Sequence, residues 1–323
     1  MLLVLRSLLS GVARLSRSAG RSLRASGLGR SRLGRAIVDA VYLPSDIFTI
    51  YTTTVSLTGD KPRVLRPTTF MDKVQNRKLF DRDPRMIDLA DKLKARDYVR
   101  ELLGESYLPR LYWSGDDLLE AKSMKALPSE FVVKANHGWN QVILVDAASD
   151  FDWEGAANTA RHWLKDDHSE RFGEWQYRWI RPRLFIEEFL RGGNEGAVFN
   201  LYAHCFEGKI GGYSYFQPGS VRFHFDRDWR PLAQSGSHLM FPTPSPPAQL
   251  TKFRQMAETL SESFSHVRVD MYDAERPVVG ELTFTSGAGL LTVETHWNLF
   301  MREAKFEGSF RSKTRRSGVE ASA

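Results

Sequence analysis

The alternation of apolar and polar residues predicts two paired strands near the end of the chain. Segments 266–273 and 278–284 are rich in β-branched and aromatic residues, and the four residues 274–277 between them form a turn. In such a hairpin Asp270 lies opposite Glu281, because position 273 pairs with 278 and each step back matches a step forward. Alternation assigns the remaining side chains to two faces, with Val267, Val269 and Met271 on one, and Arg268, Asp270, Glu281 and Thr283 on the other.

The two opposed carboxylates, Asp270 and Glu281, predict a metal site. Like charges directly opposite each other in a sheet repel, so the pair is unfavourable unless a cation lies between them. Magnesium is held by one or two carboxylates and keeps further coordination positions for phosphate oxygens. The alternative interpretation is a solvated strand face whose charges contact nothing.

The rest of the pattern predicts an α+β chain with no internal repeat. Helices are expected to open at residues 69 and 84 and to cover 153–180 and 248–264. Apolar runs predict the strands 131–134, 141–145, 184–190, 198–206 and 210–216. The predicted organisation is a leader over residues 1–38, a catalytic domain over 60–310 and a basic, disordered tail over 311–323.

The leader carries most of the unusual composition. Residues 1–38 contain eight arginines and no acidic residue, and Leu5, Leu8, Leu9, Val12 and Leu15 recur at helical spacing. Three interpretations stay open: an amphipathic helix on anionic lipid, a cleaved targeting peptide, or a disordered leader. Subtracting these eight charges from the formal +6 leaves −2 for the rest of the chain. A body of that charge argues against nucleic acid as the main partner.

Length and cysteine usage narrow the class of protein. A chain of 323 residues with 42% hydrophobic residues can bury a sizeable core. Cys205 is the single cysteine, so no internal disulfide forms, and a reducing compartment is expected. The sequence contains no uninterrupted apolar run near the roughly 18 residues of a membrane span. Together these features favour a cytoplasmic protein, which is peripheral on the inner face of the membrane if its leader binds lipid.

Three separated segments suit the chemistry of a nucleoside triphosphate. Lys134 ends a strand and precedes a turn that contains Gly138, an arrangement that suits phosphate. Glu187 and Glu188 end another strand and suit the edge of adenine. The late hairpin supplies the carboxylates for magnesium. Arg222 adds a guanidinium that can hold a substrate carboxylate by its bidentate geometry.

The order of these segments resembles the TupA-like group of the ATP-grasp superfamily, which is linked to teichuronopeptide and other cell-surface polysaccharide synthesis. The resemblance runs from about residue 65 to 300. The motifs that carry it are Phe70-Met71-Asp72-Lys73; Asp91-Lys92 with Arg96 and Tyr98-Val99-Arg100; Gly104-Glu105-Ser106-Tyr107-Leu108-Pro109; Phe131-Val132-Val133-Lys134 with Asn136-His137-Gly138; Ile186-Glu187-Glu188-Phe189-Leu190; Cys205-Phe206-Glu207-Gly208-Lys209; and Arg268-Val269-Asp270 through Glu281-Leu282-Thr283.

The resemblance implies a fold and a set of roles. The fold is α+β, with two subdomains that close on ATP, the lysines on one and the hairpin on the other. Binding of ATP falls to Lys92, Lys134, His137, Gly138, Glu187, Glu188 and Asn200. Binding of Mg²⁺ falls to Asp270 and Glu281. Arg268 stabilises the developing oxyanion, together with Lys134, and His137 is a candidate for proton transfer.

This chain departs from the group at two places. The phosphate turn has one glycine, Gly138, where most such loops have two or more. The group usually shows an Asp-Tyr-Lys run where this chain has Asn200-Leu201-Tyr202, so an acid and a lysine are replaced.

The function that the resemblance implies is an ATP- and Mg²⁺-dependent carboxylate–amine ligase acting through an acyl phosphate. The expected substrates are a glycan-linked uronic acid and an amino compound such as an amino acid. Two alternatives stay open: a non-catalytic nucleotide-binding scaffold of a polysaccharide assembly complex, favoured by the altered run, and a glycosyltransferase, which has little support among the residues.

Overall fold

The computed structural model describes residues 2–192, 196–232, 240–290, 298 and 301, with the backbone alone for residues 2–6. The predicted tail, 311–323, lies outside the described residues. The chain divides into two compact units. The first unit comprises Met1–Lys94, Arg110–Phe189 and Thr285–Glu294, and the second comprises Ala95–Pro109, Leu190–Phe284 and Thr295–Ala323.

The first unit contains most of the helices. They are α1 Leu2–Ala25, α2 Arg32–Thr58, α3 Phe70–Phe80, α4 Arg85–Ala90, α6 Leu119–Lys122, α7 Trp153–Lys165 and α8 His168–Phe172. The second unit contributes α5 Ala95–Leu103 and α9 Leu250–Ser261. None of the described helices is both long and apolar enough to span a bilayer.

The first unit is built on a four-stranded antiparallel sheet in the order β1-β4-β2-β3. Its strands are β1 Leu111–Gly115, β2 Phe131–Ala135, β3 Val142–Val145 and β4 Leu184–Glu188. One face is apolar and lies in a core with three alanines of α7, Ala156, Ala157 and Ala160. These small side chains let the helix approach the sheet closely, so the core fixes which face stays open for binding.

The second unit is built on a five-stranded antiparallel sheet in the order β7-β6-β5-β8-β9. Its strands are β5 Phe199–Phe206, β6 Lys209–Phe216, β7 Phe223–Asp226, β8 Val267–Asp273 and β9 Pro277–Thr283. Helix α9 packs on β5, β6 and β8 through its buried side chains Phe253, Met256, Ala257 and Leu260. The polar side chains of β5 and β8 therefore project from the opposite face.

The helical segment predicted over 153–180 is divided into separate helices, because the chain stops and restarts there. The Asp152 side chain accepts a hydrogen bond from the Gly155 amide and caps α7, and Asp167 caps α8 through the Ser169 amide. Gly173, with a φ of 70°, ends α8 in the left-handed conformation that favours glycine. Capping by short polar side chains therefore divides a segment whose periodicity alone suggests one helix.

Helices α1 and α2 form an antiparallel pair at the start of the first unit. The Ser16 hydroxyl donates a 2.6 Å hydrogen bond to the Val41 carbonyl. At Gly20 any Cβ would lie 2.4 Å from the Tyr42 ring, so only glycine permits this contact. Helix α2 continues through residue 38 to Thr58, a helix that the sequence pattern did not predict.

Candidate active site

The β8–β9 hairpin places Asp270 directly opposite Glu281, as predicted. The turn is shorter than expected, since Asp273 pairs with Pro277 and Met271 with Val279. That shift by one residue is cancelled by a bulge at Gly280, the extra residue between the Met271 and Asp270 pairs. The opposition of the two acids is therefore reached through a bulge that the sequence pattern did not reveal.

Arg268 relieves the repulsion between the two carboxylates. Its guanidinium donates to both oxygens of Asp270, and its Nη2 lies 3.8 Å from Glu281 Oε1. The Thr283 hydroxyl oxygen accepts from Arg268 Nη2 at 3.2 Å and lies 3.3 Å from both Asp270 Oδ2 and Glu281 Oε1. The four side chains that were predicted to share a face thus form one hydrogen-bonded cluster, with an arginine in the position where a cation was expected.

Burial is the main cause of the raised pKa of Asp270. Its side chain is 5% exposed, and this loss of water raises the pKa of the carboxyl from 3.8 to about 7, although Arg268 acts in the opposite direction. Glu281 adds to the rise because it is a neighbouring negative charge. Glu281 itself is 30% exposed, so the pair consists of one buried acid and one acid that reaches solvent.

Tyr202 connects the hairpin cluster to a second arginine. Tyr202 lies on β5 opposite Asp270, with Arg268 4.2 Å and Arg222 5.5 Å from the centre of its ring. Arg222 also stacks 4.0 Å over the Phe216 ring. Burial raises the pKa of the Tyr202 phenol, so the ring stays neutral and serves as a platform for the two guanidiniums. The sequence prediction did not assign this role to Tyr202, although an aromatic residue among polar neighbours on one strand face is a usable signal.

The donor set of the hairpin fits magnesium better than a transition metal. Two carboxylates and a hydroxyl are hard oxygen donors, and magnesium sites commonly use one or two carboxylates together with substrate phosphates. Among the described residues, no group of three or more His, Cys, Asp and Glu is placed to hold a metal ion. Asp270 and Glu281 therefore suit a metal that phosphate groups help to coordinate.

In the first unit, Lys134 and Glu187 form an ion pair. Lys134 Nζ donates to Glu187 Oε1 at 2.5 Å, and the side chains are 16% and 7% exposed. The register pairs Lys134 with Phe185 and Glu187 with Val132, so the two charged residues are diagonal neighbours on the face opposite the α7 core. The structure therefore brings together two residues that the resemblance assigns to different parts of one nucleotide.

Apolar side chains surround this ion pair on the same open face. Val142 and Leu144 of β3 are opposite Lys134 and Val132, and Leu111 of β1 is opposite Glu187. All three are exposed, Leu144 by 66%. Sequence reasoning missed them. The signal was available, because β3 is apolar at every position and only one of its faces can enter the core.

The turn between β2 and β3 is held by Lys92 and His137. Lys92 Nζ donates a 2.8 Å hydrogen bond to the Gly138 carbonyl. The buried His137 ring lies 3.0 Å through Nε2 from the Trp163 carbonyl, and burial lowers its pKa. The neutral His137 ring donates this hydrogen bond and thereby holds the turn against α7. Asn136, next to it, binds Asp91 at 2.9 Å and the Arg183 amide at 2.8 Å.

The remaining predicted ligands lie in different environments. Glu188 accepts a 2.9 Å hydrogen bond from the Arg110 amide, so this carboxylate holds the end of β1. Asn200 is buried on β5 between Phe216 and Tyr272, on the same strand face as Tyr202. Both roles in nucleotide binding stay predictions.

Comparison with known families decides the assignment. The model of the family described as TupA-like ATPgrasp matches residues 72–298. The chain belongs to the TupA-like ATP-grasp family. The resemblance and the predicted α+β ATP-grasp fold are thereby confirmed, whereas the individual site residues stay predictions. No curated relative matches the chain.

Three solved structures are similar to this TupA-like chain over part of its length. The ATP-grasp ligase PsnB, complexed with a minimal precursor, is 11% identical over 68% of this chain and 62% of its own, with a TM-score of 0.35. A RimK domain ATP-grasp protein from Sphaerobacter thermophilus is 16% identical over 75% and 72%, with a TM-score of 0.35. D-cycloserine synthetase DcsG is 13% identical over 68% and 69%, with a TM-score of 0.36. The chain thus spans less than two thirds of the length of PsnB.

Proposed function

We propose that this protein is an ATP- and Mg²⁺-dependent ligase that joins a carboxylate to an amine through an acyl phosphate. The observation that carries the proposal is the cluster of Asp270, Glu281, Arg268 and Thr283 on one face of the β8–β9 hairpin. In a chain of the TupA-like ATP-grasp family, this cluster offers two carboxylates for a divalent cation and a guanidinium for phosphate charge.

The first unit binds the nucleotide in this proposal. The apolar face of Leu111, Val142 and Leu144 receives the adenine ring, and Glu187 contacts its edge. Lys134 turns from Glu187 towards the phosphates, a move that the 16% exposure of its side chain allows. Lys92 acts through the Gly138 carbonyl and holds the phosphate turn in shape.

The second unit provides the charges that the transfer requires. Asp270 and Glu281 would hold Mg²⁺, which when bound neutralises charge on the phosphate oxygens. Arg268 then shares its guanidinium between Asp270 and the oxygen that becomes negative, because its two donor nitrogens lie within this cluster. Arg222, stacked on Phe216 and Tyr202, is oriented to hold the carboxylate of the substrate.

The proposed substrates are a glycan-linked uronic acid and an amino compound such as an amino acid. This choice rests on the link of the resembled group to cell-surface polysaccharide synthesis and on the basic pair Arg222 and Arg268. The proposed location is the cytoplasm, since ATP and the reducing environment expected for Cys205 are found there.

The test is a screen of ATP consumption against uronic acids and amino acids, with products identified by mass spectrometry. A carboxylate substrate labelled with ¹⁸O must transfer one labelled oxygen to inorganic phosphate, alongside ADP, if an acyl phosphate forms. Asp270→Asn should abolish this transfer. Glu275→Gln, which removes an exposed carboxylate from the turn of the same hairpin, should leave it intact. Release of AMP, or of unlabelled phosphate alone, would refute the proposed chemistry.

One observation favours a nucleotide-binding scaffold as the second candidate. Arg268 occupies both oxygens of Asp270, and Lys134 contacts Glu187, so both clusters hold together through internal ion pairs. A scaffold would be stabilised by Mg-ATP but would release no ADP with any carboxylate and amine pair.

The Asp-x-Asp triplets of this chain do not support the glycosyltransferase alternative. Asp-x-Asp triplets occur at 81–83, 150–152 and 226–228. Asp81 pairs with Arg77, Asp152 caps α7, and Asp226 accepts from the Asp228 and Arg230 amides. These acids therefore stabilise local structure.

A further inference from the structure

The outer surface of the α1–α2 pair carries two exposed apolar stripes. On α1 the stripe comprises Leu8, Val12, Leu15 and Ala19, and on α2 it comprises Leu33, Ile37, Ala40, Pro44, Ile47 and Tyr51. Steps of three and four residues place each set on one helix face. Every member is exposed, and Leu15 and Leu33 are 74% and 72% exposed. Neither stripe contains a charged or hydrogen-bonding side chain other than the Tyr51 hydroxyl.

Three arginines hold α1 to the rest of its unit from the opposite side. Arg21 binds Glu170 through two nitrogens, Arg24 Nη2 lies 2.8 Å from Asp167 Oδ2, and Arg17 lies 3.7 Å from Glu170. At about 100° per residue these arginines lie roughly 180° around the helix from the α1 stripe. If the leader contacts lipid, these three arginines do not take part in the contact, since they already bind carboxylates of the protein.

Helix α2 is held in the same way. Arg178 is buried and donates to Asp39 at 3.1 Å and to Asp46 at 2.8 Å, while its guanidinium stacks 3.6 Å over Tyr42. Asp39 and Asp46 are the only acids among residues 1–58, and both are buried. Because Asp39 and Asp46 are directed into the unit, the α2 stripe lies on the side of the helix that faces away from the unit.

Among the described side chains of α1, α2 and the turn between them, the exposed charged residues are all positive: Arg14, Arg30 and Arg32 are exposed, and Arg35 is partly exposed. At about 100° per residue Arg32 lies at the flank of the α2 stripe, and Arg30 lies in the turn just before it. Arg14 lies on the side of α1 that carries Arg17 and Arg21. Long arginine side chains beside an apolar face can extend to phosphate groups while the aliphatic residues enter the acyl region.

We propose that the outer face of the α1–α2 pair docks on a bilayer that contains anionic lipid. Apolar area supplies most of the binding, and Arg30 and Arg32 supply the preference for negative headgroups. A second copy of the chain is the weaker choice of occupant, because it would bring the same arginines to the contact and no exposed acid of these helices. Anionic headgroups provide the complementary charge.

Vesicle sedimentation of the full chain tests this docking surface, with vesicles of phosphatidylcholine alone or mixed with phosphatidylglycerol. Leu15→Ser/Leu33→Ser removes one residue from each stripe and should weaken partitioning onto the mixed vesicles by about tenfold or more. The matched control is Leu65→Ser/Leu102→Ser, which removes two exposed leucines outside both helices and should bind as the wild type does. Arg30→Gln/Arg32→Gln should weaken binding at low salt and reduce its dependence on salt.

Three results would overturn the proposal. The first is a wild type that sediments with neither vesicle, and the second is equal binding by the two leucine-pair variants. The third is a lipid-free dimer that Leu15→Ser/Leu33→Ser dissociates, which would mean that a second copy covers the face. Melting curves of each variant confirm that folding is intact. Because binding is measured without nucleotide, its outcome is independent of the proposed ligase activity.

Discussion

At the scale of single residues, the site depends on which charged side chains are neighbours. Arg268 binds Asp270 and lies 3.8 Å from Glu281, and this placement changes the meaning of the opposed acids, because the protein already contains a cation for them. Asp270 nevertheless keeps a raised pKa, since burial outweighs the guanidinium. A carboxyl of this kind binds a proton and a metal competitively, and that competition can be measured.

We expect Asp270→Asn to change how stability depends on pH. In the wild type the folded-state pKa of Asp270 is about 7 and the unfolded value is 3.8, so its contribution to stability is present below about pH 4 and is lost as the pH rises to about 7. The melting temperature of the wild type should therefore fall relative to that of Asp270→Asn across this window. Stabilisation by Mg-ATP should increase through about pH 7 in the wild type, because metal binding needs the carboxylate, and should be small in the variant. Parallel pH profiles of the two proteins would contradict the assignment.

The buried ion pair of Lys134 and Glu187 gives a second prediction. Lys134→Met removes the ammonium from a carboxylate that is nearly buried, which should cost about 3–5 kcal/mol in the free energy of unfolding. Lys134→Met/Glu187→Gln removes both charges and should recover most of that loss while still failing to bind ATP. Urea unfolding measures the first effect, and a thermal-shift titration with Mg-ATP measures the second. A double variant that nucleotide stabilises as strongly as the wild type would exclude both residues from the nucleotide site.

At the scale of elements, the β8–β9 bulge aligns the metal ligands. If Gly280 were paired in regular register instead of forming a bulge, it would lie opposite Asp270, and Glu281 would lie opposite Val269 on the other face. The turn and the glycine are both present in the local sequence. Only the pairing of the two strands shows that the bulge offsets the shorter turn.

Gly280→Ala should disturb the metal ligands more than it disturbs the fold. A Cβ at this position would lie 2.8 Å from the Tyr272 ring, so the ring or the bulge must move, at a cost of about 1–3 kcal/mol. The expected result is a modest fall in melting temperature with a clear loss of magnesium-dependent stabilisation by ATP. Gly219→Ala, at a glycine with open space around it but a positive φ, is the control for strain alone. Equal magnesium responses in the two variants would show that the bulge does not position Glu281.

At the scale of the whole molecule, residues 2–58 are built into the first unit. Arg178 binds two carboxylates of α2, and Arg21 and Arg24 of α1 bind carboxylates around α8. Deletion of residues 1–38 would cut α2 within its length and remove buried Val38, so a truncated protein is a poor test of what the leader does.

We expect Arg178→Met to loosen α2 and to lower the free energy of unfolding. Asp39 and Asp46 would stay buried while losing a guanidinium, at a cost of about 3–5 kcal/mol. Limited trypsin digestion should then cleave at Arg17, Arg21 and Arg24 at rates closer to those at exposed Arg30 and Arg32. Lys122→Met, at a helix end elsewhere in the same unit, is the control. Unchanged stability and digestion in Arg178→Met would mean that α2 does not depend on this contact.

By itself, the sequence determined the α+β class, a late hairpin with Arg268, Asp270, Glu281 and Thr283 on one face, and the family, because strand alternation and the order of the motifs are read directly from the chain. Only the tertiary structure decided the bulge that keeps Asp270 opposite Glu281, the pairing of Lys134 with Glu187, and the burial that raises the pKa of Asp270. The ion pair and the burial depend on strands that are far apart in sequence. The same holds for the leader: its composition suggests arginines facing lipid, but the carboxylates that bind Arg21 and Arg24 lie about 150 residues later in the chain, and no periodicity near the arginines reveals them.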